Sequence, residues 1–191
     1  MNGTSIPVFQ KKECLFGIDL AKEAASAHKE YGMVVLVEGY MDVAIIYEKS
    51  VGQVSCVASM GTAVSMDQIK SALELLQDRV DGKLIVNLDG DSAGYTAAER
   101  LCESVLPVMA DVSCVYIAHP PAPYKDVGEY FEIADNTLEE YVTHLESTAK
   151  NWIEWRALRI IEPLRSGREL QRTAAEVEFA AEQGASADRD I

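Results

Sequence analysis

The strongest constraint on the fold is an alternation of short apolar runs with segments of helical pattern. Four such runs predict β-strands, at Met33–Val37, Val54–Ala58, Lys83–Leu88 and Val112–Ala118. Strands that alternate with helices are typical of βαβ units, whose crossovers are right-handed and whose strands run parallel. The sequence therefore predicts an α/β fold with a mainly parallel four-stranded sheet flanked by helices.

Helical patterns occupy the segments around these runs and continue beyond the last strand. Ser65 and Gln68 form a capping box that marks one helix start, and the three prolines in His119–Tyr124 predict a rigid loop. From Arg168 the Ala/Glu-rich tail predicts a helix that frays. The predicted helices are Leu15–Lys29, Tyr40–Glu48, Ser65 to about Arg79, Ser92 to near Pro107, Asp126–Ile133, Thr137–Ala149 and Trp152–Leu164.

Carboxylates follow two of the predicted strands directly. Glu38 comes after the first strand, and Asp89 and Asp91 flank a glycine after the third. Ligand sites of open α/β sheets lie at the carboxyl ends of the strands, and residues two apart in extended chain point the same way. Oxygen ligands suit Mg²⁺. We therefore expect Glu38, Asp89 and Asp91 to hold Mg²⁺, with Mn²⁺ as an alternative ion and with Asp42 and Asp126 as further ligands.

Each of these residues also has a structural interpretation. An isolated Asp-Gly-Asp is most often a solvated turn, and Asp91 or Ser92 can cap the following helix. Lys11 taken by itself indicates only solvated surface. The three acidic positions at strand ends of one α/β pattern favour the metal site, because like charges in one place repel unless a cation lies among them.

Composition limits the possible functions. The 191 residues carry 17 basic and 31 acidic side chains, a net charge of −14, whereas affinity for nucleic-acid phosphates comes mainly from Lys and Arg. The four cysteines lack Cys-x-x-Cys spacing, so no zinc site is predicted and a reducing compartment is expected. We find no apolar run of the roughly 20 residues that cross a bilayer, and no signal or transit peptide. No membrane association is therefore expected.

Three segments resemble one family. Val-Val-Leu-Val-Glu-Gly-Tyr-Met-Asp-Val at 34–43, Val-Ala-Ser-Met-Gly-Thr-Ala at 57–63 and Asp-Gly-Asp-Ser-Ala-Gly-Tyr-Thr-Ala-Ala-Glu-Arg at 89–100 are similar to the Toprim core of bacterial DnaG-type DNA primases. The resemblance begins at Asn2 and is clear to about residue 133. It places Lys11 at the family's active-site lysine. Asp126 matches the third acidic motif, but Gly128 replaces that motif's second acid, for which Glu129 is a candidate substitute.

The resemblance implies catalytic roles for Glu38, Asp89, Asp91 and Lys11 in metal-dependent RNA primer synthesis. It implies single-stranded DNA and nucleoside triphosphates as partners, weakly held by so acidic a chain, and a replicative helicase reached through other domains of a longer protein. The chain then corresponds to a truncated product or an excised domain, acting in bacterial cytoplasm or a plastid. The open alternatives are a non-catalytic truncated paralogue and a Toprim nuclease.

The expected organisation has three parts. Residues 1–30 form a lead-in that resembles the end of the primase N-terminal catalytic subdomain, residues 31–133 form the Toprim domain, and residues 134–191 form a helical extension with a frayed tail.

Overall fold

The computed structural model describes residues 10–28, 31–61, 63–77, 79, 81–133 and 136–165. Its strands are β1 (Met33–Val37), β2 (Ser55–Ala58), β3 (Lys83–Asn87), β4 (Val115–Ala118) and β5 (Lys150–Asn151). Its helices are α1 (Ile18–Ala27), α2 (Tyr40–Ser50), α3 (Met66–Glu74), α4 (Ser92–Arg100), α5 (Val127–Ile133), α6 (Leu138–Thr148) and α7 over residues 152–165. A 3₁₀ turn at Lys11–Glu13 precedes α1, and a π-helical turn at Leu101–Val105 and a 3₁₀ turn at Leu106–Val108 continue α4.

Across the described residues, the strands form one five-stranded sheet in the order β2-β1-β3-β4-β5. The first four strands run parallel, and β1 and β3 lie side by side at the centre, with Val37 paired with Asn87 at their carboxyl ends. The parallel α/β prediction is therefore confirmed. The two central strands end at the same edge of the sheet.

Helices cover both faces of the sheet, which explains why the central strands are apolar without alternation. All five residues of β1 are buried. On one face, Val35 and Val37 pack in a core cluster with Ile46 of α2, Phe131 of α5 and Tyr141 of α6. Because side chains of a strand alternate between faces, Val34 and Leu36 point to the opposite face.

The structure differs from the sequence prediction in an additional strand, in the start of β4, which is Val115 rather than Val112, and in several helix ends. β5 was not predicted, because it is a polar Lys-Asn pair between two helices that becomes a strand only by antiparallel pairing with Tyr116 and Ile117 of β4. The predicted sheet of four strands thus has a short fifth member. α3 ends at Glu74 rather than near Arg79.

The first helix also begins later than predicted, at Ile18 rather than Leu15. Phe16 instead pairs with the end of β2, where its N–H and C=O form hydrogen bonds of 2.9 and 3.0 Å with Ala58. Gly17 then turns the chain into α1 with a φ of +78°, a conformation that favours glycine.

Two compact units divide the chain, Met1–Trp152 and Ile153–Ile191. Within the described part of the second unit, α7 places the guanidinium of Arg159 over the ring of Trp155. The predicted fraying tail from Arg168 lies outside the described residues. None of the helices in the described ranges is long and apolar enough to cross a bilayer.

Candidate functional site

The predicted acidic residues lie at one edge of the sheet. Glu38 directly follows β1, and Asp89 follows β3 after a single intervening residue, so the paired ends of these strands bring the two carboxylates together. Asp126 reaches the same edge through the proline loop after β4. A pocket of about 620 Å³ opens there and is lined by residues that include Glu38, Asp42, Asp89, Lys125, Asp126 and Glu129.

Glu38 differs from the other site carboxylates in one buried oxygen. Its Oε2 atom is buried and has no hydrogen-bond partner among the described residues. Burial raises the pKa of Glu38, and the neighbouring carboxylates of Asp89 and Asp91 raise it further. A buried polar atom without a partner costs free energy. A cation bound at this oxygen would remove that cost.

Asp89 and Asp91 share one neighbour, the ammonium group of Lys125. Its Nζ lies 3.3 Å from Asp89 Oδ2 and 3.5 Å from Asp91 Oδ2. Burial raises the pKa of Asp89 although Lys125 opposes that shift. The hydrogen bond to Asp89, followed by the charges of both aspartates, raises the pKa of Lys125. The ammonium therefore stays charged near neutral pH and neutralises part of the acidic cluster.

The two carboxylate oxygens of Asp91 have different partners. Its Oδ1 accepts hydrogen bonds from the N–H groups of Ala93 and Gly94, at 2.9 and 3.0 Å, and so caps α4. The bond from Gly94 is the largest cause that lowers the pKa of Asp91. The sequence interpretation of Asp91 as a helix cap is thus seen in the structure. Oδ2 remains directed toward Lys125.

Asp42 lies deeper and joins two helix starts. Its Oδ2 accepts the N–H of Gly39 at 3.2 Å, and its Oδ1 accepts the N–H of Gly128 at 3.0 Å. Burial raises the pKa of Asp42 to about 6, against the effect of these bonds. Both oxygens of Asp42 therefore already have backbone donors.

Asp126 and Glu129 are engaged at the start of α5. Asp126 Oδ1 accepts the N–H of Glu129 at 2.7 Å, and Glu129 Oε2 accepts the N–H of Lys125 at 2.5 Å. A Cβ built at Gly128 would lie 3.2 Å from Asp126 Oδ1. Gly128, which stands where the family has its second acid, therefore supplies a backbone donor to Asp42. The carboxylate of Glu129 contributes to a helix cap.

The side chains at this site are of a type that binds metal ions, but their positions do not form a ligand set. All the candidate ligands are carboxylates, and the partnerless Glu38 oxygen suits a hard cation. Across the residues that the structure describes, however, no three His, Cys, Asp or Glu side chains converge closely enough to hold one ion. The five predicted metal ligands, Glu38, Asp42, Asp89, Asp91 and Asp126, therefore remain a prediction.

Lys11 lies beside the loop that follows β2, next to Gly61. A Cβ built at Gly61, whose φ is +151°, would lie only 2.8 Å from Lys11 Nζ. Gln68 ties the Lys11 segment to this loop, because its Nε2 lies 3.1, 2.8 and 3.0 Å from the carbonyl oxygens of Lys11, Cys14 and Ser59. Lys11 therefore lies against the loop after β2, at the edge of the sheet where the parallel strands end.

Sequence reasoning missed several residues that shape the site. Lys125 directly precedes Asp126 in the sequence, but nothing in the sequence indicates that it contacts Asp89 and Asp91. His119 belongs to no ligand motif in the sequence, yet its Nδ1 lies 3.1 and 3.2 Å from the carbonyl oxygens of Leu88 and Asp89, and its ring stacks on Tyr95. Gln68 was recognised only as half of a capping box, which the structure confirms.

Comparison with known proteins adds independent information. A family model described as Toprim-like matches residues 35–131. The DNA primase of Synechocystis is 32% identical over 162 residues, which are 84% of this chain and 24% of that protein. The DNA primases of Neisseria meningitidis are 35% identical over 121 residues, 63% of this chain and 19% of each of those proteins. The chain thus spans about a quarter or less of the length of these relatives.

Solved structures with the same fold come from primases as well. A DNA primase domain from Pseudomonas aeruginosa superimposes with a TM-score of 0.63 at 28% identity, covering 79% of this chain and 43% of that one. A DnaG primase catalytic domain bound to single-stranded DNA gives a TM-score of 0.61 at 24% identity, covering 82% of this chain and 48% of that one.

Proposed function

This chain belongs to the Toprim-like family in its DnaG-type primase form, and we propose that it acts in metal-dependent nucleotidyl transfer during RNA primer synthesis. The main support is the site at the ends of β1 and β3, where Glu38 has a buried oxygen without a hydrogen-bond partner among the described residues. A pocket of about 620 Å³ beside it offers room for a nucleotide phosphate group.

Each site residue has a proposed role. Glu38, Asp89 and Asp91 would hold Mg²⁺ or Mn²⁺, and such an ion polarises phosphoryl oxygens and offsets negative charge that develops in phosphoryl transfer. Asp42 and Asp126 would be further ligands, and their bonds to Gly128 and Glu129 also hold the chain in place around the site. Lys11 would contact a phosphate of the incoming nucleotide, in keeping with the resemblance.

The partners of this reaction are also part of the proposal. We propose a single-stranded DNA template and nucleoside triphosphates as substrates, and a replicative helicase as a partner of the longer protein. With 17 basic against 31 acidic residues, this chain alone should hold a phosphate backbone weakly. Primer synthesis belongs where DNA is replicated, so we propose the bacterial cytoplasm or a plastid. Within the chain, we propose 31–133 as the catalytic Toprim domain between a lead-in and a helical extension.

Isothermal titration calorimetry tests the metal site directly. We expect the chain to bind Mn²⁺ or Mg²⁺, and the double variant Asp89→Asn/Asp91→Asn to lose that binding because two anionic ligands become neutral. Glu48→Gln is the matched control, since Glu48 lies near the other end of α2. Absence of binding, or equal binding by the double variant, would contradict the proposed metal ligands.

Primer synthesis requires a separate assay. The purified chain is incubated with labelled single-stranded DNA and Mn²⁺, with and without nucleoside triphosphates. Product that lengthens only when nucleotides are present supports nucleotidyl transfer. Shortened DNA in either reaction identifies a nuclease, and no change with metal bound identifies a non-catalytic domain.

A further inference from the structure

The ammonium group of Lys125 lies between the two aspartates of the Asp-Gly-Asp loop. Nζ contacts Asp89 Oδ2 at 3.3 Å and Asp91 Oδ2 at 3.5 Å, and the Lys125 side chain is 55% exposed. These are oxygens of two of the proposed metal ligands. A single cationic group of this chain therefore already bridges the pair that a divalent ion would need.

The backbone of Lys125 is fixed beside that loop. Its carbonyl oxygen accepts the N–H of Gly90 at 2.6 Å, and its own N–H donates to Glu129. A Cβ built at Gly90 would lie 3.3 Å from the carbonyl oxygen of Tyr124 and 3.4 Å from that of Lys125. Glycine at position 90 thus permits the two segments to approach closely, and the loop and the lysine are placed as one unit.

The side chain, in contrast, is free to change its contacts. Lysine has a flexible four-carbon stem and a compact charge, and Lys125 is one of the residues that line the pocket of about 620 Å³. Rotation of the stem can therefore move the ammonium from the aspartates into the pocket without moving the backbone.

We infer that Lys125 is a resident counter-ion of Asp89 and Asp91, and that it competes with a divalent cation for their carboxylate oxygens. The inference rests on the proposed function, which assigns these aspartates to a metal. An ammonium and a divalent ion at the same two oxygens repel each other, so each weakens the binding of the other. Lys125 thereby lowers the affinity for metal, and metal binding releases its charge toward the pocket.

Calorimetry with Mn²⁺ on the full 191-residue chain measures the competition. Lys125→Met keeps much of the stem and removes the charge, so we expect Mn²⁺ to bind roughly 3- to 30-fold more tightly, as suits two partly exposed ion pairs. Lys125→Arg keeps the charge and should show no such gain. Lys70→Met is the matched control, because Lys70 is an exposed lysine paired with Asp67 on α3 and its loss should leave the affinity within twofold.

Amine labelling distinguishes displacement from a simple effect of charge at a distance. The reactivity of Lys125 toward an acylating reagent is measured by mass spectrometry relative to Lys70. We expect saturating Mn²⁺ to raise the relative labelling of Lys125, toward the level that Asp89→Asn/Asp91→Asn shows without metal.

The outcomes separate this inference from the proposed function. If wild type binds Mn²⁺ but the relative labelling of Lys125 does not rise, or if Lys125→Met binds no more tightly than wild type, the competition is refuted and the metal site stands. If neither wild type nor Lys125→Met binds Mn²⁺, the metal site and the competition both fail.

Discussion

Gly94 in the first turn of α4 offers a test in which two physical effects predict opposite signs. This glycine is buried. Substitution of glycine by alanine inside a helix normally stabilises it by about 1 kcal/mol, because alanine has the higher helix propensity. At position 94, however, a built Cβ would lie 2.1 Å from the carbonyl oxygen of Asp89, 2.8 Å from its C and 3.0 Å from its N.

The steric effect should exceed the propensity gain. A carbon atom normally lies more than 3 Å from such an oxygen, so the Asp89 backbone would have to move by about 1 Å, and no flexible side chain is available to absorb the shift. Overpacking of this kind costs roughly 1–3 kcal/mol, occasionally more, and backbone atoms on the receiving side favour the upper end. After the propensity gain, we expect Gly94→Ala to lower the free energy of unfolding by about 2 kcal/mol.

Urea unfolding followed by far-ultraviolet circular dichroism measures this loss. The melting temperature should fall by roughly 4–8 °C, given about 2–4 °C per kcal/mol for a chain of this size. Gly32→Ala is the matched control, because a Cβ at Gly32 meets nothing within 4 Å and should leave stability unchanged or raise it by about 0.4–1 kcal/mol. If Gly94→Ala is as stable as wild type or more stable, the close approach of α4 to the Asp89 backbone is refuted.

Three further predictions concern the polar residues around the site. Asp91→Ala should lower stability because the cap of α4 is lost, whereas Asp91→Asn keeps an acceptor oxygen and should lower stability much less. Equal losses in urea unfolding would contradict the cap. Gln68→Met removes the side-chain donor to the carbonyl oxygens of Lys11, Cys14 and Ser59, although the Lys11 oxygen keeps the N–H of Cys14. Stability should fall by about 2–4 kcal/mol, and trypsin should cut after Lys11 or Lys12 faster; an unchanged cutting rate would contradict the contacts of Gln68. The raised pKa of Asp42 means that the folded chain holds this proton more tightly than the unfolded chain. Its contribution to stability is therefore full below about pH 4 and is lost as the pH rises through about 6. Metal-free wild type should thus lose on the order of 2–3 kcal/mol between pH 4 and 7 relative to Asp42→Asn; identical pH profiles would refute the shift.

Much of the fold follows from local pattern. The apolar run Met33–Val37 coincides with β1, because five consecutive apolar residues are stable only when both faces of a strand are covered. Ser65 with Gln68 and Thr137 with Glu140 mark the starts of α3 and α6, since a capping box needs only residues three apart. β5 could not be predicted in this way, because the Lys-Asn pair has strand geometry only next to β4.

The acidic site could be predicted from the sequence only in part. That Glu38 and Asp89 meet follows from the sequence, since both come just after apolar runs that end at one edge of a parallel sheet. The sequence does not predict which oxygen of each carboxylate accepts a hydrogen bond. Asp91 Oδ1 was open to prediction as a cap, but the hydrogen bond of Asp42 with Gly128 joins residues 86 apart, and no spacing rule connects them.

Local patterns in the sequence were enough to predict the α/β class, the strand ends that bring acidic residues together and the resemblance to primase Toprim domains. These depend on residues within a few positions of each other, where period, capping and turn preference decide the local structure. Other contacts became visible in the folded chain alone: Lys125 lies between Asp89 and Asp91, Gln68 ties Lys11 to the loop after β2, and Gly94 packs closely against the Asp89 backbone. These contacts depend on how separate segments pack, to within a few tenths of an ångström, and local sequence patterns do not specify that packing.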